Sequence, residues 1–277
     1  MSNRLSDSST TLDQIAFLGA GNMATAMVEG LIAKGVFAPG NIACMGGSGS
    51  SGPALAKKTG VRLAVSLEDL LARAGTLVVA FKPQHLASAD PQLANLTEGR
   101  LVISVLAGKR IGALSAAFPK ARNVVRSMPN TPSQIGAGIT GWCSSSALSA
   151  ADRRTLEDAF GALGKSFELP ESDIDAFTAI CGCGPAYVFE FAAALRDAGL
   201  RMGFDAPTSK FFAVETLLGS ALLLARGDAD PETLRNQVTS PNGVTAAGLR
   251  KMADLDFRGI LSAAIVAAKA RAVELSA

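Results

Sequence analysis

Two short stretches of this chain carry the residue types of a ligand site, and neither contains a conventional acid or base. The first is Gly19-Ala20-Gly21-Asn22-Met23-Ala24, directly behind the short β-rich run Ile15–Leu18. In such a turn Gly19 allows a tight exit from a strand, and Gly21 lets a pyrophosphate approach the backbone. Ala24 stands where a small residue permits close helix-on-sheet packing, with the helix N-terminus facing the phosphate. The second stretch is Ser240-Pro241-Asn242-Gly243-Val244-Thr245, in a half of the chain that otherwise reads as long apolar helices. Asn242 and Gly243 can start a helix through Thr245, Leu249 and Met252. Its unpaired N–H groups then suit a small carboxylate, with the Thr245 hydroxyl pointing at the same space. The alternative use of this loop is helix capping by Ser240 or Asn242.

His85 is the single histidine, so a metal site or a Ser-His triad would rest on one residue, and both are set aside. Cys181 and Cys183, one glycine apart, fit neither a thioredoxin-like motif nor a metal clip and read as structural thiols.

The turn after the next strand bears on which dinucleotide binds. An NAD site usually carries a carboxylate there for the ribose hydroxyls. Here the chain reads Cys44-Met45-Gly46-Gly47-Ser48-Gly49-Ser50-Ser51-Gly52, without any carboxylate. Hydroxyls and backbone N–H groups could accept a 2′-phosphate, with Lys57 or Lys58 nearby, so NADP is favoured over NAD. A flexible loop without a ligand role is the alternative. Ala80-Phe81-Lys82-Pro83-Gln84 and Ser104-Val105-Leu106-Ala107-Gly108 lie at the carboxyl ends of two further expected strands, where open α/β sheets bind ligands. Small residues and proline there let the backbone run against a flat ring, or simply make ordinary strand-end turns.

Elements that could position these stretches are legible in the pattern. Strands are expected at Ile15–Leu18, Asn41–Met45, Arg62–Ala64, Thr76–Phe81, Leu101–Leu106 and Asn123–Arg126, with apolar helical segments between most of them. Continuous apolar strands alternating with helices imply a doubly wound, mostly parallel sheet of the Rossmann type. After Leu169-Pro170 the strand signals stop, and 173–199, 207–226, 231–239 and 257–275 read as helices. The expected organisation is a polar tail at 1–12, a dinucleotide-binding domain at 13–170, and an all-α dimerisation domain at 171–277. Phe211–Ala225 is apolar on nearly every face, which calls for burial on all sides. A second copy of the chain could supply it; a membrane span is not expected, because the run is too short for one.

Bulk composition excludes several partners. Among 277 residues, 26 basic and 24 acidic side chains are spread without blocks and give a formal net charge of +2, so no nucleic-acid face is implied. The N-terminal MSNRLSDSSTTLDQ lacks the apolar core of a signal peptide. Four cysteines without zinc-type spacing suggest a reducing, cytoplasmic setting.

Taken together, GAGNMA, AFKPQ, ISVLAG, VRSMPNTP, GCGPAYVFEF and VTSPNGVTAAGL resemble, in order, the motifs of the pyrroline-5-carboxylate reductase family, from Gln14 onward. That resemblance implies hydride delivery from NAD(P)H to the C=N carbon of a five-membered cyclic imine, giving L-proline in the last step of proline synthesis. It also implies that Gly19, Ala20, Gly21, Asn22, Met23, Ala24, Ser48, Ser66, Ala80, Phe81, Lys82, Pro83, Ala107 and Gly108 line the cofactor, with Asn236 reaching it from the helical domain. Glu171, Ser240, Asn242, Gly243, Val244 and Thr245 would face the substrate, Thr245 in the catalytic role. The family builds its site across a homodimer of interlocked helical domains, often within larger rings. This chain departs from the family at Cys183, where serine is common, and at Asn242 and Val244, where glycine and a small or polar residue are usual. Reduction of a six-membered cyclic imine, or NADP binding without turnover, are the competing functions.

Overall fold

The computed structural model describes residues 14–276; the polar stretch 1–12 lies outside the described residues. Strands are β1 (Gln14–Leu18), β2 (Ile42–Met45), β3 (Arg62–Leu63), β4 (Ala74–Val79), β5 (Leu101–Ser104), β6 (Asn123–Met128), β7 (Gly138–Ser144) and β8 (Gly164–Glu168). Helices between and beside them are α1 (Asn22–Ala33), α2 (Ser51–Thr59), α3 (Leu67–Leu71), α4 (Leu93–Leu96), α5 (Ile111–Ala117) and α6 (Ala150–Gly161). Beyond the sheet come α7 (Glu171–Phe177), a π-helical turn at Thr178–Gly182, α8 (Gly184–Arg201), α9 (Ala206–Ala225), α10 (Pro231–Gln237), α11 (Val244–Asp254) and α12 (Phe257–Ser276).

The sheet has the order β3-β2-β1-β4-β5-β6-β7-β8. Pairings are parallel from β3 through β6, β7 runs antiparallel to β6, and β8 is parallel to β7. This is the doubly wound order expected of a Rossmann-type domain, extended by two strands at one edge. Alternation along the central strands assigns each face its own core. Ile15, Phe17, Val78 and Val125 point to the side of α1 and α6. Ala16, Leu18, Val79 and Val124 point to the side of α3, α4 and α5. Because both faces are covered, the strands are continuous apolar runs, and truncating a fully buried ring such as Phe17 to alanine should cost about 3–5 kcal/mol.

β7 and β8 were not expected. Gly138-Ile139-Thr140-Gly141-Trp142-Cys143-Ser144 has two glycines and no long apolar run, while Gly164-Lys165-Ser166-Phe167-Glu168 is largely exposed. Both glycines of β7 are required by close neighbours. A Cβ on Gly138 would fall 2.1 Å from Ser133 Oγ, and one on Gly141 would fall 2.7 Å from the Phe177 ring.

The chain divides into two compact units. One runs to Gly182 and takes in the chain again from Lys269; the other is Cys183–Ala268. The change from strand to helix falls at Pro170, yet α7 and the π-helical turn stay with the sheet, because ion pairs and amide bonds from β6 and the loop after it hold them there. The second unit is wholly helical. Its α9 has Pro at the first turn and an Asp205 cap, and it buries only Ser209 and Ala213 within this chain. Phe211, at 61% exposure, and Phe212, Leu218 and Leu222 face outward.

Length does not distinguish α9 from a membrane span, contrary to the sequence-based expectation. Its 20 residues reach about 30 Å, and both Ala206–Ala225 and Glu171–Arg201 are long and apolar enough to cross a bilayer by length and composition.

Cys143 on β7 is a buried free thiol. Burial pushes it up to about 11, reinforced by the negative charge of Glu171. In the unfolded chain it ionises near its ordinary value of 9.0. The neutral thiol therefore supports the fold below that pH, and its contribution is lost as pH rises toward about 11. Melting temperature should fall between about pH 9 and 11. Cys143→Ala should melt lower at neutral pH but with a flatter alkaline slope; parallel slopes would assign the alkaline loss to other groups.

Candidate active site

The turn after β1 is fixed by backbone contacts alone. Gly19 N–H donates to Met45 O and Ala80 N–H donates to Leu18 O, each at 2.8 Å, so the ends of β1, β2 and β4 are laced together. Gly19 sits at φ +115, and a Cβ there would fall 2.4 Å from the carbonyl carbon of Ala80. Gly21 differs in kind. Its backbone is extended, as the N-cap of α1, and a Cβ would have nothing within 4 Å. No side chain caps α1, so its first-turn N–H groups open on that empty space. Ala24 is fully buried beneath the helix. Gly19 is thus required by the fold, whereas Gly21 leaves room for something outside it.

Beside this turn lies a cavity of about 700 Å³ whose wall brings together Gly19, Ser48, Ser66 and Phe81. Ser66 Oγ accepts the Asp69 N–H at 3.1 Å and so caps α3. Asp69 in turn accepts the Val65 N–H at 2.9 Å, the main reason its carboxyl is held below the usual range. His85, set aside as a catalyst on sequence grounds, lines the same wall, as do Glu68 and Asp90, but no lysine or arginine does. Lys58 pairs with Glu29, and Lys57 is exposed. Anion recognition here would fall to hydroxyls and backbone N–H groups. Asn22 and Lys82 are exposed, Met23 and Pro83 are half-buried, and Ala20 is buried. Ala80 follows β4, and Ala107-Gly108 follow β5, with Ala107 exposed and Gly108 at φ +69.

The second unit holds the other loop. Asn242 adopts φ +57, in the left-handed region that asparagine tolerates. Gly243 N–H donates to Ser240 O at 3.0 Å, closing a tight turn. A Cβ on Gly243 would fall 2.3 Å from Ser240 Oγ. Gly243 is the N-cap of α11, and neither Ser240 nor Asn242 caps the helix with its side chain. The amides of Val244, Thr245 and Ala246 therefore have no helical acceptor. Val244 is 93% exposed, and Thr245 is exposed as well. Asn236 accepts from Arg235 Nε and a terminal guanidinium nitrogen at 3.1 and 2.9 Å. It borders a second cavity of about 720 Å³ that is lined by Arg235, Arg250 and Arg258 along with Asp256.

Glu171 is engaged within the first unit. Its Oε1 accepts the Ile111 N–H at 2.6 Å and lies 3.2 Å from Arg126. This belongs to a set of polar contacts from the VRSMPNTP stretch to which no role was assigned from the sequence. Arg126, Met128 and Asn130 alternate along β6 and its exit. Arg126 donates to Asp175 at 2.7 Å, and Met128 faces Gly182. Asn130 Nδ2 donates to Cys181 O at 3.0 Å, while its Oδ1 accepts the Ile139 N–H at 2.9 Å. The period of two in Arg-x-Met-x-Asn was the available signal; its partners, some fifty residues downstream, were not.

Residues 171–275 match the family model described as pyrroline-5-carboxylate reductase dimerisation, and residues 14–108 match that of NADP oxidoreductase, coenzyme F420-dependent. The chain is similar to pyrroline-5-carboxylate reductase of Pseudomonas aeruginosa, with 34% identity covering 95% of this chain and 97% of the relative. Pyrroline-5-carboxylate reductase 2 of Bacillus subtilis is 32% identical, covering 95% of each. Among solved structures, a pyrroline-5-carboxylate reductase from Coxiella burnetii superposes with a TM-score of 0.89 at 30% identity, covering 96% of this chain and all of that one. Plasmodium falciparum pyrroline carboxylate reductase, solved with NADP bound, gives 0.84 at 29% identity, covering 95% and 98%.

The two glycines of the first turn should separate under substitution. Gly19→Ala forces a methyl group into Ala80 and should lower stability by about 2–4 kcal/mol. Gly21→Ala meets no neighbour and should melt within a degree or two of the parent, about 0.5 kcal/mol or less. Thermal melts of both variants check this, and equal melting temperatures would contradict the packing around Gly19.

Proposed function

This chain belongs to the pyrroline-5-carboxylate reductase family, and from that premise we propose that it reduces 1-pyrroline-5-carboxylate to L-proline with NADPH. The observation that carries the reading is a pair of helix N-termini left without side-chain caps, α1 behind Gly19–Gly21 and α11 behind Asn242-Gly243. Each leaves amides oriented toward an anion, in the first case a pyrophosphate and in the second a small carboxylate.

The first unit fits a dinucleotide by its own geometry: the space above Gly21, the cavity beside it, and a tight β1 exit that only glycine allows. Gly19 to Ala24, Ser48, Ser66, Ala80 to Pro83, Ala107 and Gly108 would hold the cofactor, with Asn236 as a contact from the helical unit. When bound, the nicotinamide supplies the hydride for the C=N carbon. The protein's own task is lighter than in most reductions. A protonated imine is already electrophilic and brings with it the proton that the product nitrogen keeps. The α11 amides fix the carboxylate, Thr245 Oγ1 accepts the ring N–H, and Val244 shapes the wall. No strong acid is needed, which suits a loop without histidine or carboxylate.

Homodimers, or multiples of them, are supported by the apolar residues that the helical unit leaves outward and by the family model matched over 171–275. Four free thiols fit a reducing, cytoplasmic setting.

Oxidation of NADPH in the presence of pyrroline-5-carboxylate tests the activity directly. Thr245→Val keeps shape but removes the acceptor of the ring N–H. An unsatisfied buried donor costs roughly 1–3 kcal/mol, so kcat/KM for the imine should drop about five- to hundred-fold with NADPH affinity unchanged. Weaker NADPH binding or a lower melting temperature, with imine turnover spared, would move Thr245 to another role.

Cofactor preference is tested at the second turn. NADPH should give a higher kcat/KM than NADH, and Ser48→Asp should narrow or reverse the gap by repelling the 2′-phosphate. Equal effects on both cofactors would locate that phosphate away from Ser48.

A further inference from the structure

The segment between β5 and α5 is held from behind by a cluster of ion pairs and hydrogen bonds. Gly108, at φ +69, lies against the last turn of α12, where a Cβ would come 3.0 Å from Leu275 O. Arg110 reaches Ser276 Oγ at 3.4 Å and Asp175 at 3.7 Å. Ile111 N–H, in the first turn of α5, is satisfied by Glu171 rather than by a local cap. These contacts converge on Asp175. One of its oxygens accepts from Arg126 at 2.7 Å and the other from Ser276 Oγ at 3.0 Å. Two arginines and two carboxylates make the cluster formally neutral. Arg126 and Asp175 are nearly inaccessible, so losing the charge of one strands the other in a poorly solvated place.

We propose that Asp175, with Arg126 and Ser276, is a positioning residue for the Ala107–Ile111 segment and through it for NADPH binding. The inference rests on the reading that Ala107 and Gly108 line the cofactor. Two points of the segment, Arg110 and Ile111, are bonded, and Gly108 packs against the last turn of α12, while Ala107 is left exposed at its turn. A backbone that approaches a flat ring loses its fit with sub-ångström displacement, so the anchor behind it sets affinity without touching the ligand.

The test compares NADPH with 2′,5′-ADP, a fragment that needs only the Ser48–Ser66 cavity. Asp175→Asn keeps the shape and removes the charge. It should weaken NADPH about ten-fold or more, roughly 1.4 kcal/mol, with the affinity for 2′,5′-ADP and the KM for the imine unchanged. Amide hydrogen exchange at 107–111 should accelerate in the same variant. Ser276→Ala should weaken NADPH about three-fold, and Ser276→Thr, which keeps the hydroxyl, should restore it. Should Asp175→Asn fail to fold, the serine pair decides alone. Parent-like NADPH affinity in folded Asp175→Asn, or in Ser276→Ala, overturns the inference. Equal loss for NADPH and 2′,5′-ADP also overturns it, because the cluster then supports only the fold. A parent protein that binds no NADPH removes the functional reading as well, so the two failures are told apart before any variant is made.

Discussion

A guanidinium that is only 4% exposed must be met by carboxylates, and the partners of Arg126 lie well downstream in the chain. Glu171 and Asp175 sit one helical turn apart on α7, so a single orientation of that helix presents both to β6. Asn130 then holds the carbonyl of Cys181 at the end of the π-helical turn. Together they pin residues 171–182 to the sheet, and α8 can begin only where that segment ends. The compact first unit closes at Gly182 rather than at the last strand for this reason.

Much of this was legible in the sequence, but unevenly. β3 is a two-residue, partly exposed strand; β1, β2, β4, β5 and β6 announce themselves because both of their faces are largely buried, which leaves mostly apolar runs. β7 and β8 do not, because β7 owes its conformation to glycines crowded by Ser133 and Phe177, and β8 is an exposed edge strand. The α7–α8 stretch reads as one helix by composition; the interruption at 178–182 comes from the amide bond to Asn130 and the contact of Met128 with Gly182, neither of which leaves a local pattern. The glycine turn at 19–24 and the loop at 240–245 were readable since their chemistry is carried by backbone, and backbone demands show as glycine and asparagine. Asp175 and Ser276 were not, because a polar residue on an apolar helix looks solvent-facing until its partner is known.

Reliance on backbone runs through both loops. The cavity beside α1 has no cation in its wall, and it includes Glu68, whose carboxyl is held below the usual range by its own N–H and by Ser66. Lysine or arginine would bind a phosphate more strongly, but would also bind the carboxylates already there. Amides at a helix N-terminus attract anions without being neutralised by neighbours, and their direction is set by the fold. The α11 loop has the same property in smaller form: Asn242 and Gly243 turn the chain, and Ser240 is held by that turn instead of filling the cap.

The two units meet the requirement for apolar burial differently. In the first, sheet and helices enclose both cores within one chain. In the second, α8 and α9 approach closely where a Cβ on Gly199 would fall 2.8 Å from Ser209 Oγ, and the outer faces of both stay uncovered. Lipid could in principle cover α9, whose composition permits it. The helix before it argues the other way, because Arg196 and Asp197 form an exposed pair and Glu190 and Arg201 are charged as well. A bilayer centre would penalise each of these by about 2.5–3.5 kcal/mol, whereas a protein surface can pair or solvate them. The apolar side chains of Phe211, Leu218 and Leu222 that this unit leaves outward agree with the match of residues 171–275 to a dimerisation family model.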